Sequence, residues 1–270
     1  MYDGHGGPEA SAYCKTHLHR RMLRHLAATM RSRGGDGGGG DGRGGGGGDG
    51  GETGGSVDEA PPTPVRGGPP SVSELAGALS AAFNSTDEAF MAGSDCSAGT
   101  TAITALVSET HVIVANAGDS RAYLWRNGRS IPLSLDHKPD RPDETARINE
   151  AGGWVSHGRV MHTLAVSRAL GDRDFKRHAK SPQTLPFTSS LVTADAEVRV
   201  ARLQQGDELL LACDGLWDVM TAEAAFAFLH SHSVDVEPRK AVHQLVTAAD
   251  EEYHSMDNVT AVYVRLASPE

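Results

Sequence analysis

A glycine- and proline-rich segment at about residues 33–70 sets the main limit on how this chain can fold. It contains the run GGDGGGGDGRGGGGGDGGETGG, and five prolines follow within residues 61–70. A segment with so few side chains to bury cannot offset the entropy lost on ordering, so we expect it to be disordered. About 200 residues remain for folding, which is enough for one sizeable core. We therefore expect a single domain over residues 1–270, incomplete at its N-terminus as argued below, with this segment as an insert.

The charge and cysteine content narrow the class of protein. The net charge of −10 argues against nonspecific binding to nucleic acid. No run of 18 apolar residues is present, so we expect no membrane span, and the N-terminus has no signal-peptide pattern. Three scattered cysteines, Cys14, Cys96 and Cys213, do not form a disulfide framework and fit a reducing compartment. We expect an intracellular monomer, cytoplasmic and/or nuclear.

Hydrophobic periodicity predicts the order of the helices and strands. Helical spacing of apolar residues is followed from Gly99 by short runs rich in β-branched residues, and Asn127-Gly128 is a strong hairpin signal. Strands that cluster along the chain favour an α+β fold with antiparallel sheets over alternating βαβ units. The predicted helices cover about 8–31, 71–92, 139–151, 217–231 and 238–253. The predicted strands are TTAITALV, HVIVANAG, RAYLW, RSIPL, AEVRVARL, DELLLAC and NVTAVYVRL.

Three short segments place a carboxylate beside glycine or at a strand end. Asp3-Gly4 lies near the start of the chain, Asp214 follows the apolar run LLLAC, and Asp257-Asn258 begins the last predicted strand. Carboxylates in such positions can converge on a hard cation, and glycine lets a backbone carbonyl approach it. Oxygen ligands favour Mg²⁺ or Mn²⁺ over zinc. Each Asp-Gly pair taken alone is equally explained as a turn.

Seven blocks of sequence carry a resemblance to a known family. The chain resembles the protein phosphatase 2C family, the metal-dependent serine/threonine protein phosphatases. The resemblance implies an α+β fold, namely a four-layer α-β-β-α sandwich of two antiparallel sheets flanked by helix pairs. The blocks are YDGHGG at 2–7, GTTA at 99–102, VANAGDSRAYL at 114–124, LDHKPDRPDETARINEAGG at 135–153, LAVSRALGD at 164–172, LLLACDGLWDVM at 209–220 and DNVTAVYV at 257–264.

The resemblance also implies a centre of two metal ions, Mg²⁺ or Mn²⁺. In the family pattern Asp3 bridges both ions and the Gly4 carbonyl ligates one of them. Asp214 and Asp257 complete the coordination of the other. Two metal ions can hold a bridging water, lower its pKa and neutralise charge on the phosphoryl group.

Two further carboxylates match a weaker third metal position found in some family members. Asp119 lies in NAGDSRA, where its alternative role is that of a hairpin-turn residue. Asp218 lies in DGLWD, where its alternative role is that of a carboxylate in the first turn of a helix, which the helix dipole favours. Both alternatives stay open from the sequence.

His5 matches the family's proposed general acid, which protonates the leaving alkoxide. The implied reaction is hydrolysis of phosphoserine and phosphothreonine in proteins by a two-metal-activated water. The implied partners are phosphorylated proteins, with no nucleic acid and no membrane. Arg168 and Asp172, in SRALGD, are expected to serve loop structure.

The chain departs from the family pattern at its front. Family members carry tens of residues before the DGHGG block, which supply the first strands, a phosphate-gripping arginine and an acid of the metal shell. We therefore expect an N-terminally truncated domain that lacks these strands and is unstable or weakly active. The alternative function is that of a catalytically impaired pseudophosphatase fragment that binds phosphoproteins or other partners. A small-molecule phosphatase on the same fold also stays open, because substrate choice lies in surface loops.

Overall fold

The computed structural model of the chain describes residues 1–34, 68–177, 186–232 and 237–266. The predicted disorder of the insert concerns mainly residues 35–67, which lie outside the described residues. The helices are α1 (Glu9–Gly34), α2 (Val72–Gly93), α3 (Pro142–Glu150), α4 (Asp214–Trp217), α5 (Ala222–His232) and α6 (Pro238–Glu251). The strands are β1 (Tyr2–His5), β2 (Gly99–Val107), β3 (His111–Ala117), β4 (Arg121–Arg126), β5 (Arg129–Pro132), β6 (Val155–Ser156), β7 (Arg159–Val160), β8 (Leu170–Gly171), β9 (Glu197–Arg202), β10 (Glu208–Ala212) and β11 (Ala261–Arg265).

Two antiparallel sheets form the centre of the molecule. The first has the order β1-β2-β3-β9, with β8 also paired to β2, and the second has the order β11-β10-β4-β5. A separate ribbon is made by β6 and β7. Asn127 and Gly128 both have positive φ, as the predicted tight hairpin between β4 and β5 requires. The prediction of an α+β fold with antiparallel sheets is confirmed.

The sheets are buried on both faces, which explains their nearly continuous apolar sequences. Side chains alternate along a strand, so β3 and β10 each supply two separate cores. Val112 and Val114 of β3 pack with Leu209 and Leu211 of β10 between the sheets. The other face of β3 packs on α1 and α2, and the other face of β10 packs on α5 and α6. The layers therefore run helices, sheet, sheet, helices, as the family resemblance implies.

The helices α1 and α2 pack against each other on either side of the insert. Ser71 caps the start of α2, because its hydroxyl accepts the Glu74 N–H while the Glu74 carboxylate accepts the Ser71 N–H. Glu74 also forms an ion pair of 2.9 Å with Arg33 near the end of α1. The insert thus leaves and re-enters the fold at neighbouring points. None of the helices in the described ranges is both long and apolar enough to cross a membrane.

The predicted helix at 217–231 is wrong as a single element. The chain instead forms the short helix α4, turns at residues 218–221 and begins α5 at Ala222. Within α4 the Trp217 indole N–H donates to the Ala212 carbonyl at 2.7 Å, which holds α4 back against β10. Thr221 then accepts the Ala224 N–H through its hydroxyl and starts the new helix.

The predicted start of the last strand at Asp257-Asn258 is also wrong. The strand β11 begins at Ala261. Before it, the carbonyls of Asn258 and Thr260 accept hydrogen bonds from the thiol and the N–H of Cys213. Residues 257–260 therefore form a loop against the end of β10 and the start of α4, and Asp257 lies in that loop.

Candidate metal centre and active site

Pairing between β1 and β2 brings Asp3 next to the turn that carries Asp119. Asp3 lies opposite Thr101 in the strand register. The Thr101 hydroxyl is 3.1 Å from that of Ser120, and Gly118 has φ of +119° with no room for a side chain beside Thr101. This close approach needs glycine at position 118. It places the buried Asp119 at the same end of the sheets as Asp3.

Asp214 and Asp257 are brought together by contact between α4 and the loop before β11. Asp214 is the first residue of α4 and directly follows the end of β10 and Cys213. A side chain at Gly215 would collide with the Asn258 carbonyl, and the Ser255 hydroxyl donates to the Gly215 carbonyl at 2.7 Å. The exposed Asp257 lies between Ser255 and Asn258 in the chain, the two residues that make these contacts.

Asp3 and Asp214 form the centre of an unbalanced acidic cluster. Burial and the negative charge of Asp214, with smaller effects from Asp257 and Asp119, raise the pKa of Asp3 to about 7. Burial and the charge of Asp119 raise the pKa of Asp214. The Asp214 Oδ1 atom is buried and finds no hydrogen-bond partner among the described residues. Crowded carboxylates with an unsatisfied oxygen fit the chemistry of a divalent cation with oxygen ligands.

Cys213 lies beside these carboxylates but does not fit the same role. One ligand atom each from Asp3, Cys213 and Asp214 lies within 4.8 Å of the others. The thiol donates to the Asn258 carbonyl and accepts the Thr260 N–H, both at 3.2 Å. Burial raises the pKa of Cys213, so the group stays a neutral thiol, whereas a hard cation prefers oxygen.

The two residues expected at the third metal position differ in their surroundings. Asp119 is 4% exposed and its carboxylate is paired with the ammonium group of Lys138. Burial lowers the pKa of Lys138, but the charge and hydrogen bond of Asp119 together outweigh this effect, so the net pKa is raised. Asp218 is exposed at the end of α4, one helical turn after Asp214, and its charge contributes to the raised pKa of Asp214. Sequence reasoning missed Lys138, although it stands within the LDHKPD block.

His5 and Gly4 complete the predicted set on β1. A side chain at Gly4 would lie 2.9 Å from the Ser11 hydroxyl, so β1 runs closely along the start of α1. The His5 Nε2 atom is 2.7 Å from the Asp172 carboxylate. Burial lowers the pKa of His5, but the hydrogen bond and charge of Asp172 outweigh it and the net pKa is raised. The sequence assigned Asp172 to loop structure and gave no sign of this contact.

Comparisons with known proteins found a family profile and several relatives that this chain resembles. The profile of the family described as "Protein phosphatase 2C" matches residues 67–259. The chain is 32% identical over 275 residues to "Probable protein phosphatase 2C 59" of Arabidopsis thaliana, covering 99% of this chain and 69% of that protein. It is 37% identical over 246 residues to "Probable protein phosphatase 2C 75" of Arabidopsis thaliana, covering 83% of this chain and 49% of that protein. The chain thus spans between 49% and 69% of the length of these two relatives.

A solved structure supports the fold alone. The "Crystal structure of serine-threonine phosphatase 2C from Toxoplasma gondii" matches with a TM-score of 0.70 and 21% identity. The match covers 98% of this chain and 83% of that one. At this identity the shared feature is the arrangement of sheets and helices, which are the elements that position the acidic cluster described above.

Proposed function

Because the chain belongs to the protein phosphatase 2C family, we propose that it hydrolyses phosphoserine and phosphothreonine in proteins with two Mg²⁺ or Mn²⁺ ions. The observation that carries the proposal is the pair Asp3 and Asp214, whose pKa values are both raised and whose carboxylates lie together. Leaving two half-buried acids without a counter-charge is costly for a folded protein. A site that binds divalent cations gives these acids a counter-charge.

The ligands of the two ions would be the carboxylates of Asp3, Asp214 and Asp257 together with the Gly4 carbonyl. When bound, the ions would neutralise phosphoryl charge and lower the pKa of a water molecule. Asp3, on β1, reaches the cluster from the first sheet, whereas Asp214 follows β10 of the second. Both sheets therefore hold the site in place.

Asp119 and Asp218 are the proposed ligands of a weaker third ion. The ion pair between Asp119 and Lys138 must open or be shared for that ion to bind. Asp218 is exposed and can rotate toward Asp214 without such a cost. We therefore assign the third ion the lowest affinity of the three.

His5 supplies the proton in the proposed reaction. A water oxygen attacks phosphorus in line with the bond to the serine or threonine oxygen, which breaks as the new bond forms. The leaving oxygen takes a proton from His5 and departs as the alcohol. The raised pKa of His5, due to Asp172, keeps more of the ring in its protonated form near neutral pH.

The alternative of a binding protein without catalysis has no observation in its favour among the described residues. The acids that such a protein would not need are brought together, and His5 is held at their side. The finer choice between protein and small-molecule substrates also rests on the relatives, whose names describe them as protein phosphatases. The intracellular location and the monomeric state stay predictions.

The test is hydrolysis of a phosphoserine peptide by the purified chain with Mn²⁺, with Mg²⁺ and with EDTA. We expect turnover with either metal ion and loss of turnover in EDTA. Asp214→Asn should lower kcat/KM by about 100-fold or more, since it removes a proposed ligand. Asp250→Asn, the same change at an exposed position on α6, should leave it unchanged. Turnover that persists in EDTA would contradict the proposal.

A further inference from the structure

Three neighbouring strands place Asp172 against His5. In the register of the first sheet, His5 of β1 lies opposite Gly99 of β2, and Gly99 lies opposite Gly171 of β8. Asp172 directly follows Gly171 and reaches back across Gly99. A side chain at Gly99 would collide with the Asp172 carboxylate. The strand pairing and the glycine together open the path from Asp172 to His5.

The backbone around Asp172 is held in a conformation that costs energy. Asp172 has φ of 53° and ψ of 48°, which is the left-handed region that most side chains avoid. Its N–H donates to the Ala98 carbonyl at 3.1 Å. Strained residues of this kind are concentrated at functional sites, where the surrounding structure holds them in place.

The Asp172 carboxylate is committed to His5. Asp172 is 3% exposed, and its Oδ1 lies 2.7 Å from the His5 Nε2 atom. Its Oδ2 is buried and has no hydrogen-bond partner among the described residues. An ionised carboxylate can accept a hydrogen bond but cannot donate one. The proton between Asp172 and His5 is therefore carried by the His5 Nε2 atom. Nδ1 is then the ring nitrogen left for proton transfer.

We propose that Asp172 is the positioning residue of His5, in that it fixes the ring orientation and makes Nδ1 the proton-donating atom. This inference rests on the proposed function, in which His5 gives its proton to the leaving oxygen of the substrate. In the step, the Nδ1–H bond of the imidazolium breaks and an O–H bond forms on the leaving oxygen, which keeps the electron pair of the broken P–O bond. The water oxygen forms the new bond to phosphorus and its proton leaves to solvent. His5 ends neutral, with Nε2–H still bound to Asp172, as in other carboxylate–histidine pairs.

The kinetic test compares substrates with poor and good leaving groups. A serine alkoxide needs a proton as it leaves, whereas the p-nitrophenolate ion does not. In Asp172→Asn, kcat on a phosphoserine peptide should fall about 10–100-fold with little change in KM, while kcat on p-nitrophenyl phosphate falls by less than about threefold. His5→Ala should show the same selectivity, and the double variant should lose little more than His5→Ala alone. Equal losses on both substrates, or none, would overturn the proposal.

A second variant separates positioning from loop structure. Asp172→Gly removes the carboxylate and suits the left-handed backbone, so the fold should be kept or stabilised. We expect it to show the same selective loss on the phosphoserine peptide. If Asp172 served only the loop, Asp172→Gly would retain wild-type turnover of both substrates, and the inference would be wrong.

The ring tautomer gives a readout that requires neither metal nor turnover. Long-range ¹H–¹⁵N spectra of the metal-free protein, with His5 assigned through His5→Gln, should show the proton of the neutral ring on Nε2. Asp172→Gly should shift the tautomer balance toward Nδ1–H. A neutral wild-type ring protonated on Nδ1 would overturn the inference. If the wild type lacks turnover, the proposed function fails, and the tautomer alone decides the role of Asp172.

Discussion

The acidic cluster around Asp3 and a second group of acids around Glu144 both contain carboxylates removed from water. The pKa of the central carboxylate is shifted in opposite directions in the two groups. Glu144 is 1% exposed and accepts hydrogen bonds from Arg168 at 2.6 Å and from Arg147 at 2.8 Å. Burial raises the pKa of Glu144, but these contacts outweigh that effect and lower the pKa to about 2. For Asp3, in contrast, burial and a neighbouring acid raise the pKa to about 7.

The difference shows how a structural acid can be told from a ligand. Glu144 and its arginines balance their charges within the chain, and Arg141 extends the network to Glu197 at 2.5 Å. Such a group is complete without any added ion. Asp3 and Asp214 face each other, and Lys138, which is paired with Asp119, offsets only part of the charge of the cluster. The raised pKa values therefore mark where a cation is expected, and the lowered one marks where it is not.

The largest effect on stability is expected from the balanced group. Glu144→Gln leaves Arg147 and Arg168 without their buried counter-charge and should lower the free energy of unfolding by about 3 kcal/mol at pH 7. The loss should be the same with and without Mn²⁺, as measured by denaturant unfolding. Glu150→Gln, an exposed change on α3, is the control. If Mn²⁺ restored the lost stability, the Glu144 group would also depend on a metal ion, and the contrast with the Asp3 cluster would be wrong.

The lowered pKa of Glu144 also predicts the pH range over which the protein loses stability. Because the folded-state pKa of Glu144 is about 2 and its ordinary value is 4.5, its contribution is full above pH 4.5 and is lost as the pH falls toward 2. The wild type should therefore lose stability over this window more steeply than Glu144→Gln. Parallel curves would show that Glu144 does not hold the low pKa.

The unbalanced cluster should respond in the opposite direction. Asp3→Asn removes one of two repelling acids, so the metal-free protein at pH 8 should become more stable by about 1–3 kcal/mol. The folded-state pKa of Asp3 is raised, so this gain should grow as the pH rises from about 4 to 7. We expect Mn²⁺ to raise the Tm of the wild type, and this rise should be largely lost in Asp3→Asn. Destabilisation of the metal-free protein would contradict the comparison.

The smallest effect is expected from a change in the glycine- and proline-rich insert. Replacing residues 35–67 by eight Gly/Ser residues should leave turnover within about twofold and raise stability by about 1 kcal/mol, because a shorter loop costs less entropy to close. The contact between Arg33 and Glu74 shows that the flanking helices meet at this point. A large fall in activity would show that the insert acts on the site.

The elements with strong periodicity were predicted from the sequence, together with the turn at Asn127-Gly128. The long helices α1 and α2 and the buried strands follow from side-chain patterns that local physics can interpret. The start of β11 and the break between α4 and α5 were missed. The start of β11 depends on a hydrogen bond between distant segments, from Cys213 to Asn258, which no local window contains. The break between α4 and α5 comes with the contacts of Trp217 with Ala212 and of Thr221 with Ala224, which apolar periodicity alone does not reveal.

The candidate site shows the same division. The carboxylates Asp3, Asp214 and Asp257 were predicted as ligands because their motifs are short and ordered along the chain, and their role as ligands stays a prediction. The partners Lys138 and Asp172 were missed as site residues, since their roles depend on strand register and on contacts across the fold. The pairing of Gly99 with Gly171, which brings Asp172 to His5, has no signature in either segment alone.

The wide spacing of the cluster along the chain has a consequence for protein synthesis. Ribosomes make the N-terminal part of a chain first, so Asp3 is synthesised well before Asp214 and Asp257. The strand β1 must also wait for β2, which follows the insert. A nascent chain therefore cannot assemble the cluster before the segment that carries Asp257 has been made, and capture of a metal ion is delayed until then.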